Sequence, residues 1–520
     1  MTATRAATHT VSAVLRRACS FPVLLAVLLS VLGALTVRSR FNDPDMWWHL
    51  KTGQIIWTTH RIPTTDIFSF TTSHHAYVPQ EWLSQILIYA TYRLGGYSGL
   101  MAWLCLSTVA VLVAGYLLCT LYSGNAKVAF LGAVVIWLFA TTGLSLRPQM
   151  IGYLLLIVEL LLMQLGRTRS PRWFWGLPPL FALWVNCHAS FFLGFGVASL
   201  FFLSSFFDFR TGSLVALPWE PYRRKLLGLA LLLSVAALFL NPIGVRQILY
   251  PLDTLIHQPI GLSHSEEWLP LQMNGGRGLG LLVVAGGILL LVIVQRSELF
   301  WDELVMLALG TWLAVSHQRM VFVFGILAAP VISRLLADSW DGYDAAHDRP
   351  VPNAILIALS LLVIVWGFPN RQNLASQVDQ GNPTQAVQFI QTNHLAGNML
   401  NDYGYGGYLI WAAPDHPVFI DGRSDVFEST GVLAQYGRWA LLQSDPNSLL
   451  NQYNISFCLL ARTAPMAHVL PFLPNWKAVY SDNRSIIFMR TPSTSLSPQS
   501  WLRWHKSVRA RSRQLDPDTT

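Results

Sequence analysis

Two aspartates, Asp43 and Asp45, lie one residue apart in a segment with the sequence F-N-D-P-D-M-W-W-H-L. Paired carboxylates can hold a divalent metal ion such as Mg²⁺ or Mn²⁺ through oxygen ligands. A carboxylate in a low-dielectric setting is also more basic and can take a proton from a hydroxyl group. The simpler alternative is a helix cap, because aspartate is favoured at the start of a helix and a helix is predicted from about Met46. The spacing alone leaves these interpretations open.

Other polar residues lie at the ends of apolar segments. A guanidinium group offers a planar fork to a phosphate, so Arg147 and Arg319 are candidates for binding the phosphate of an anionic lipid. The candidates for lining a substrate cavity are His49, His188, Glu267 and His317. Each has a simpler alternative, since an arginine can extend to lipid headgroups and a lone histidine in a turn is more often structural.

The composition indicates that lipid surrounds these residues. The chain has 520 residues, of which 53% are hydrophobic and only 12% charged, whereas a soluble domain carries about 25% charged residues. The net charge of +8 comes from arginines in short loops between apolar segments, which is typical of membrane topology, and no nucleic-acid partner is expected. The five scattered cysteines suggest no disulfide framework.

A helix needs about 20 apolar residues to cross a bilayer. We predict a mainly α protein, a polytopic transmembrane helical bundle of about eleven spans, several of them short. The predicted spans are 21–37, 99–121, 127–146, 150–165, 173–187, 189–206, 226–241, 278–295, 304–317, 319–336 and 351–368. They define a transmembrane domain over residues 1–369.

The basic loops predict the orientation, because lysine and arginine collect on the cytoplasmic side. A cytoplasmic N-terminus, carrying Arg16 and Arg17, puts most basic loops inside. Loops 38–98 and 242–277 and the region after 369 are then outside. The segment Trp82–Leu94 is short for a span, and we interpret it as an interfacial helix; a span there would reverse the sides of the loops that follow. We expect a multi-pass protein of the cell inner (plasma) membrane.

The region 370–495 has the pattern of an extracytoplasmic α/β domain. The predicted strands are Tyr408–Trp411, Pro417–Ile420, Ile455–Leu460, Lys477–Tyr480 and Ser485–Met489, and the predicted helices are Pro383–Thr392 and Gly431–Leu442. Residues 496–520 are rich in serine, proline and arginine, and we expect a disordered tail.

A long outer loop with an acidic pair after the first span, then an interfacial helix, a multi-span bundle and a terminal soluble domain, resembles the glycosyltransferase C superfamily. The local segments from Pro44 to Gly53, Pro63 to Ser69, Glu81 to Leu83, Tyr405 to Trp411 and Phe419 to Asp425 are similar to those of bacterial Rgt-like glycosyltransferases. The resemblance implies a sugar donor linked to polyprenyl phosphate and, in some members, a metal ion. By position it implies Asp45 as the catalytic residue, then Asp43, with Glu81 as a supporting acid.

Three functions remain open at this stage. The first is transfer of a sugar from a polyprenyl-phosphate-linked donor to a glycan, lipid or protein acceptor on the extracytoplasmic face. The second is a non-catalytic scaffold of the same fold. The third is a lipid or glycan transporter, which the sequence favours less because it shows no internal repeat and its charged residues lie at the outer face rather than at mid-membrane.

Reporter fusions test the predicted topology. We expect a fusion at Ser339 to report the cytoplasm and a fusion at Pro492 the extracytoplasmic side, because one predicted span, 351–368, separates them. The same side for both sites would show that this span is misassigned. If the fusion at Ser339 reports the extracytoplasmic side and the fusion at Pro492 the cytoplasm, the number of predicted spans before them is wrong by one. Segment 82–94 would then be an additional span.

Overall fold

The computed structural model describes the backbone of residues 16–140, 143–264 and 266–491. The predicted disordered tail, 496–520, lies outside these residues. The chain forms two compact units. The membrane unit comprises Met1–Ile67, Thr72–Asn382 and Gly422–Leu433, and the C-terminal unit comprises Phe68–Thr71, Pro383–Asp421 and Ala434–Thr520.

The membrane unit is built from helices joined mostly by short loops. In chain order they are α1 (Phe21–Val37), α2 (Met46–Thr59), α3 (Trp82–Ser123), α4 (Ala126–Ala140), α5 (Gln149–Thr168), α6 (Leu177–Cys187), α7 (Phe191–Ser204), α8 (Pro221–Ala237), α9 (Val245–His257), α10 (Pro259–His264), α11 (Gly276–Gln295), α12 (Trp301–Ser316), α13 (Val321–Ala337), α14 (Pro350–Gly367) and α15 (Arg371–Gly381). A further helix of this unit, α18 (Ser424–Ser429), comes later in the chain.

Several of these helices have the length and composition of membrane spans. Among the described residues, five qualify: Trp82–Ser123, Gln149–Thr168, Gly276–Gln295, Gln318–Ala337 and Pro350–Gly367. Shorter apolar helices are Phe21–Val37, Ala126–Ala140 and Phe191–Ser204. A multi-span membrane protein is therefore supported, whereas the predicted count of about eleven spans is not confirmed.

Helix α13 forms the centre of the bundle. Nearly all of its side chains are buried, and it packs against α3, α4, α11 and α12. A largely apolar helix must be surrounded by protein or by lipid, and α13 is surrounded by protein. Helix α14 is the opposite case. It packs against α1, but Asn353 is its one buried residue, so much of its apolar surface is left for lipid to cover.

Helix α3 joins two elements that the sequence analysis predicted as separate. The interfacial segment 82–94 and the span 99–121 form one 42-residue helix that is interrupted at Gly96. Gly96 has a φ of 56°, a backbone conformation that glycine adopts without strain. The first part of α3 packs against α2, the helix of the first outer loop.

The membrane unit also contains a small sheet that the sequence analysis did not predict. Strands β1 (Phe209–Thr211) and β2 (Leu214–Ala216) form a hairpin, and β3 (Leu299–Phe300) pairs with β2 in parallel. Strands of two or three residues are too short to give a clear alternation of polar and apolar residues.

The C-terminal unit is a small α/β fold, as predicted. Its sheet has the strand order β4-β5-β7-β6, in which β4 and β5 are parallel and the other pairs antiparallel. The strands are β4 (Asn398–Asn401), β5 (Ile455–Ala461), β6 (Trp476–Ser481) and β7 (Ser485–Arg490). The helices are α16 (Thr384–Thr392), α17 (Gly406–Ala412), α19 (Val432–Ala440), which begins in the membrane unit, α20 (Pro446–Gln452) and α21 (Pro465–Val469).

Two predicted strands of this unit are wrong. The segment Tyr408–Trp411 lies in helix α17, because Asp402 accepts a hydrogen bond from the backbone N–H of Gly404 and starts a helical turn that continues into α17. The segment Pro417–Ile420 contributes only a single bridge, at Val418. The side chain of Asn401 bonds the backbone of this segment, where a neighbouring strand would otherwise pair with it.

A single glycine sets the distance between α2 and α3. A Cβ atom added to Gly53 would lie 2.1 Å from the carbonyl oxygen of Gln85. We expect Gly53→Ala to separate the two helices and to reduce the free energy of unfolding by about 1–3 kcal/mol, the usual effect of overpacking. Thermal unfolding in detergent measures this.

The matched control is Gly95→Ala, since an added Cβ at Gly95 in α3 meets nothing within 4 Å. This variant should unfold at the temperature of the wild type or slightly above it. Equal unfolding temperatures for Gly53→Ala and Gly95→Ala would contradict the close helix packing.

Candidate functional site

The acidic pair lies in the turn between α1 and α2. The backbone N–H of Asp45 donates to Oδ1 of Asp43 at 2.9 Å, which fixes the turn. Asp45 occupies the N-cap position of α2, yet its side chain makes no capping hydrogen bond. Its carboxylate instead accepts a hydrogen bond from the indole N–H of Trp48 at 3.3 Å. The turn therefore leaves the carboxylate of Asp45 available for contacts beyond its own helix.

Arg147, just before α5, binds both aspartates. Its Nε lies 2.9 and 2.7 Å from the two carboxylate oxygens of Asp43, and its Nη1 lies 3.1 Å from Oδ2 of Asp45. The side chains of Arg147 and Asp43 are 17% and 7% exposed, so this ion pair is largely removed from water. Burial disfavours the charge of Arg147, but Asp45, Asp43 and Glu267 together raise its pKa. Burial raises the pKa of Asp45, and Arg147 opposes that shift.

Glu267, in the second outer loop, connects Arg147 to Arg319. Its Oε1 lies 3.4 Å from Nη1 of Arg147, and its Oε2 lies 3.2 Å from Nη1 of Arg319. Arg319 also donates to Oε1 of Gln149 at 2.7 Å. The two candidate phosphate-binding arginines are thus brought to the two oxygens of one carboxylate. We call the group Asp43, Asp45, Arg147, Glu267 and Arg319 the charged cluster.

A second group forms around Glu81, which precedes α3. The Nε2 atom of His188 lies 3.3 Å from Oε1 of Glu81, and the Nδ1 atom of His49 lies 3.6 Å from Oε2. The backbone N–H of Ser190 donates to Nδ1 of His188, so the proton of the neutral ring is on Nε2 and points to Glu81. The side-chain amide of Gln85 is 3.1 Å from Nδ1 of His49.

Burial controls the protonation of this second group. It raises the pKa of Glu81 to about 8, while Arg319 and Arg147 oppose the shift and Asp45 and Asp425 add to it. It lowers the pKa of His188 to about 3, and Arg319 lowers it further. The pKa of His49 is also well below its ordinary value, mainly through burial. At neutral pH Glu81 is therefore mostly protonated and both histidines are neutral.

His317 lies beside the charged cluster rather than in the Glu81 group. Its ring makes an edge contact with Trp268 at 5.3 Å, and the guanidinium of Arg319 stacks over the same indole at 5.9 Å. Burial lowers the pKa of His317. The structure thus brings together all nine residues selected from the sequence, in two adjoining groups of the membrane unit.

Some members of this site were not predicted from the sequence. Gln85 was detectable, because it lies one helical turn after Glu81 and therefore on the same face. Tyr250 gave no local signal, and Asp425 was noted as the end of the charged segment from Phe419 to Asp425 but was not among the predicted site residues. Their side chains are hydrogen-bonded to each other, and burial followed by the charge of Asp425 raises the pKa of Tyr250. Asp425 was assigned to the C-terminal domain, whereas the structure includes it in the membrane unit.

The donor set of the acidic pair does not fit a divalent ion in this arrangement. Oxygen ligands of Mg²⁺ lie at about 2.0–2.1 Å and converge on one point, whereas the guanidinium of Arg147 lies between Asp43 and Asp45 and bonds both. Within the described ranges, no group of three His, Cys, Asp or Glu side chains is placed to hold a metal. The predicted Mg²⁺ or Mn²⁺ at Asp43 and Asp45 is therefore not confirmed.

The sequence matches no protein-family model and no curated protein, but the fold matches solved structures. The oligosaccharyltransferase of Archaeoglobus fulgidus, tethered to an acceptor peptide with the NVT sequon, aligns with a TM-score of 0.54 and 13% identity over 91% of this chain and 74% of that chain. ArnT of Cupriavidus metallidurans, bound to undecaprenyl phosphate, aligns with a TM-score of 0.51 and 13% identity over 91% of this chain and 98% of that chain.

Both structures are membrane glycosyltransferases of the glycosyltransferase C superfamily. The fold that the resemblance implies is therefore confirmed, because this chain has the fold that these two structures share. At 13% identity the likeness concerns the fold, and the function of this chain depends on the chemistry of its own site.

The raised pKa of Glu81 has a measurable consequence for stability. Between pH 6.5 and about 8, folded protein keeps the proton of Glu81 while unfolded protein has released it, so the contribution of Glu81 to stability should fall as the pH rises. His49 and His188 are neutral in the folded protein but titrate near pH 6.5 when unfolded, which makes a contribution of opposite sign in the lower part of this range. The difference in stability between the wild type and Glu81→Gln isolates Glu81, and this difference should change by up to about 1.4 kcal/mol per pH unit, the value for one proton.

The control is Glu220→Gln, because the side chain of Glu220 is 65% exposed. Thermal unfolding in detergent across this pH range compares the three proteins. Parallel curves for the wild type and Glu81→Gln would show that Glu81 titrates normally.

Proposed function

We propose that this chain is an integral membrane glycosyltransferase. It moves a sugar from a polyprenyl-phosphate-linked donor to a glycan, lipid or protein acceptor on the extracytoplasmic face. The observation that supports this most strongly is the charged cluster. In it, two arginines that can bind a phosphate lie beside Asp45, a carboxylate that can accept a proton. The fold adds support, because a structure with the same fold is bound to undecaprenyl phosphate.

The proposed reaction is a displacement at the anomeric carbon of the donor sugar. The acceptor hydroxyl oxygen forms the new bond to this carbon, and the bond from the carbon to the phosphate oxygen breaks. The polyprenyl phosphate leaves with the electron pair, and Asp45 takes the proton of the hydroxyl. The raised pKa of Asp45 makes it a better proton acceptor than an ordinary aspartate.

Other residues of the site support these steps. Arg319 and Arg147 bind the phosphate and stabilise the charge that develops on it as the sugar departs. Asp43 holds Arg147 in place through two contacts to Nε. Glu81, which holds a proton between two neutral histidines, is the supporting acid of the site.

Substitution of the acidic pair tests the proposal. Asp45→Asn keeps the shape of the side chain but removes the base, so we expect sugar transfer to fall by about 10²-fold or more. The double variant Asp43→Asn, Asp45→Asn should be at least as impaired. The measurement is release of polyprenyl phosphate from a lipid-linked sugar supplied to membranes that contain the protein.

A matched control is Asp253→Asn, since Asp253 is an exposed aspartate that pairs with His257 on α9. Its activity should equal that of the wild type, and Asp253→Asn and Asp45→Asn should give normal extraction and thermal unfolding in detergent. The double variant, which removes the buried partner of Arg147, should extract normally but unfold at a lower temperature. Full activity in the double variant would assign the pair a purely structural role and would favour a non-catalytic scaffold.

A further inference from the structure

Glu267 is the most exposed acidic member of the charged cluster. Its side chain is 36% exposed, compared with 7% for Asp43 and 22% for Asp45. Within the part of the chain that the structure describes, its carboxylate contacts two groups, the guanidinium groups of Arg147 and Arg319. Partly exposed ion pairs of this kind contribute little free energy each, so a competing anion can replace them.

The position of the Glu267 carboxylate resembles that of a bound phosphate. Each of its oxygens faces a different guanidinium group, at 3.4 and 3.2 Å. Two arginines that converge on one small anion are the usual arrangement for a phosphate, which carries more charge and more acceptor oxygens than a carboxylate. A phosphate in this place would bond both arginines without moving either of them far.

The charge balance of the cluster leads to the same conclusion. Two arginines and three acidic side chains carry a net negative formal charge when all are ionised, so the cluster with Glu267 in place repels an anion. Without the carboxylate of Glu267 the remaining four groups are formally neutral, and Arg319 loses its ion-pair partner. The affinity of the site for a phosphate therefore depends on whether Glu267 has left it.

We propose that the carboxylate of Glu267 occupies the phosphate position when no donor is bound and that the phosphate group of a lipid carrier displaces it. The inference rests on the proposed function, because it assigns these two arginines to the carrier phosphate. Glu267 is then a competitor of the donor. It is not a ligand that stabilises the complex, and this distinction has a direct experimental consequence.

The test compares binding of undecaprenyl phosphate to purified wild-type protein and to Glu267→Gln. The glutamine keeps the size of the side chain but removes the competing charge. We expect Glu267→Gln to bind undecaprenyl phosphate about three- to tenfold more tightly, the effect of removing two partly exposed ion pairs. Glu266→Gln is the matched control, because Glu266 is the exposed neighbour in the same turn, and its affinity should equal that of the wild type.

Two further ligands identify the source of the phosphate. Inorganic phosphate and phosphatidylglycerol should each bind Glu267→Gln more weakly than undecaprenyl phosphate does. Equal binding of either one would overturn the assignment to a polyprenyl carrier. Thermal unfolding of each variant in detergent confirms that the compared proteins are folded.

The outcomes separate the inference from the proposed function. If the wild type binds undecaprenyl phosphate and Glu267→Gln binds it equally tightly or more weakly, Glu267 is not a competitor of the donor. The proposed function would still stand. Failure of every form to bind undecaprenyl phosphate would contradict the proposed function itself. Tighter binding in Glu267→Gln, with no change in Glu266→Gln, supports both.

Discussion

The ion pair between Arg147 and Asp43 is the interaction on which the candidate site depends. It connects the turn after α1 to the start of α5, and both side chains are largely buried. Loss of one partner from a buried ion pair leaves an uncompensated charge and typically costs about 3–5 kcal/mol. Because the same guanidinium also contacts Asp45 and Glu267, this one pair fixes the position of the remaining acidic groups as well.

The site contains two groups of side chains that differ in ionisation, although both groups are largely buried. In the charged cluster, opposite charges lie close enough for Arg147 to remain ionised although it is largely buried. Around Glu81 the nearest side chains are two histidines, and burial favours the neutral form of all three groups. A charged region suited to a phosphate thus adjoins a neutral region suited to holding a proton, and Arg319 influences both through its charge.

The sequence was sufficient for the parts of the structure that depend on periodicity and composition. Apolar segments predicted the helical bundle, and the polar residues at their ends met at one site because alternate helix ends return to the same face. The pairing of Arg147 with Asp43 was not predictable, since it depends on the turn at Asp43 rather than on spacing. The segment Tyr408–Trp411 was misread because four apolar residues show the same pattern in a strand and in a buried helix. Asp425 was assigned to the C-terminal domain because nothing in the sequence shows that the chain returns to the membrane unit at Gly422.

The place of Arg147 also determines what kind of cation this acidic pair can use. A guanidinium bonds carboxylates through N–H groups that point outward in fixed directions, so it holds Asp43 and Asp45 apart on different edges of one plane. A divalent ion would need the same oxygens to converge to within about 2.0–2.6 Å of one point. The arginine is covalently attached, and the three acidic groups around it keep it protonated. The positive charge beside Asp45 is therefore supplied by the chain itself, and its position is set by the turn that precedes α5.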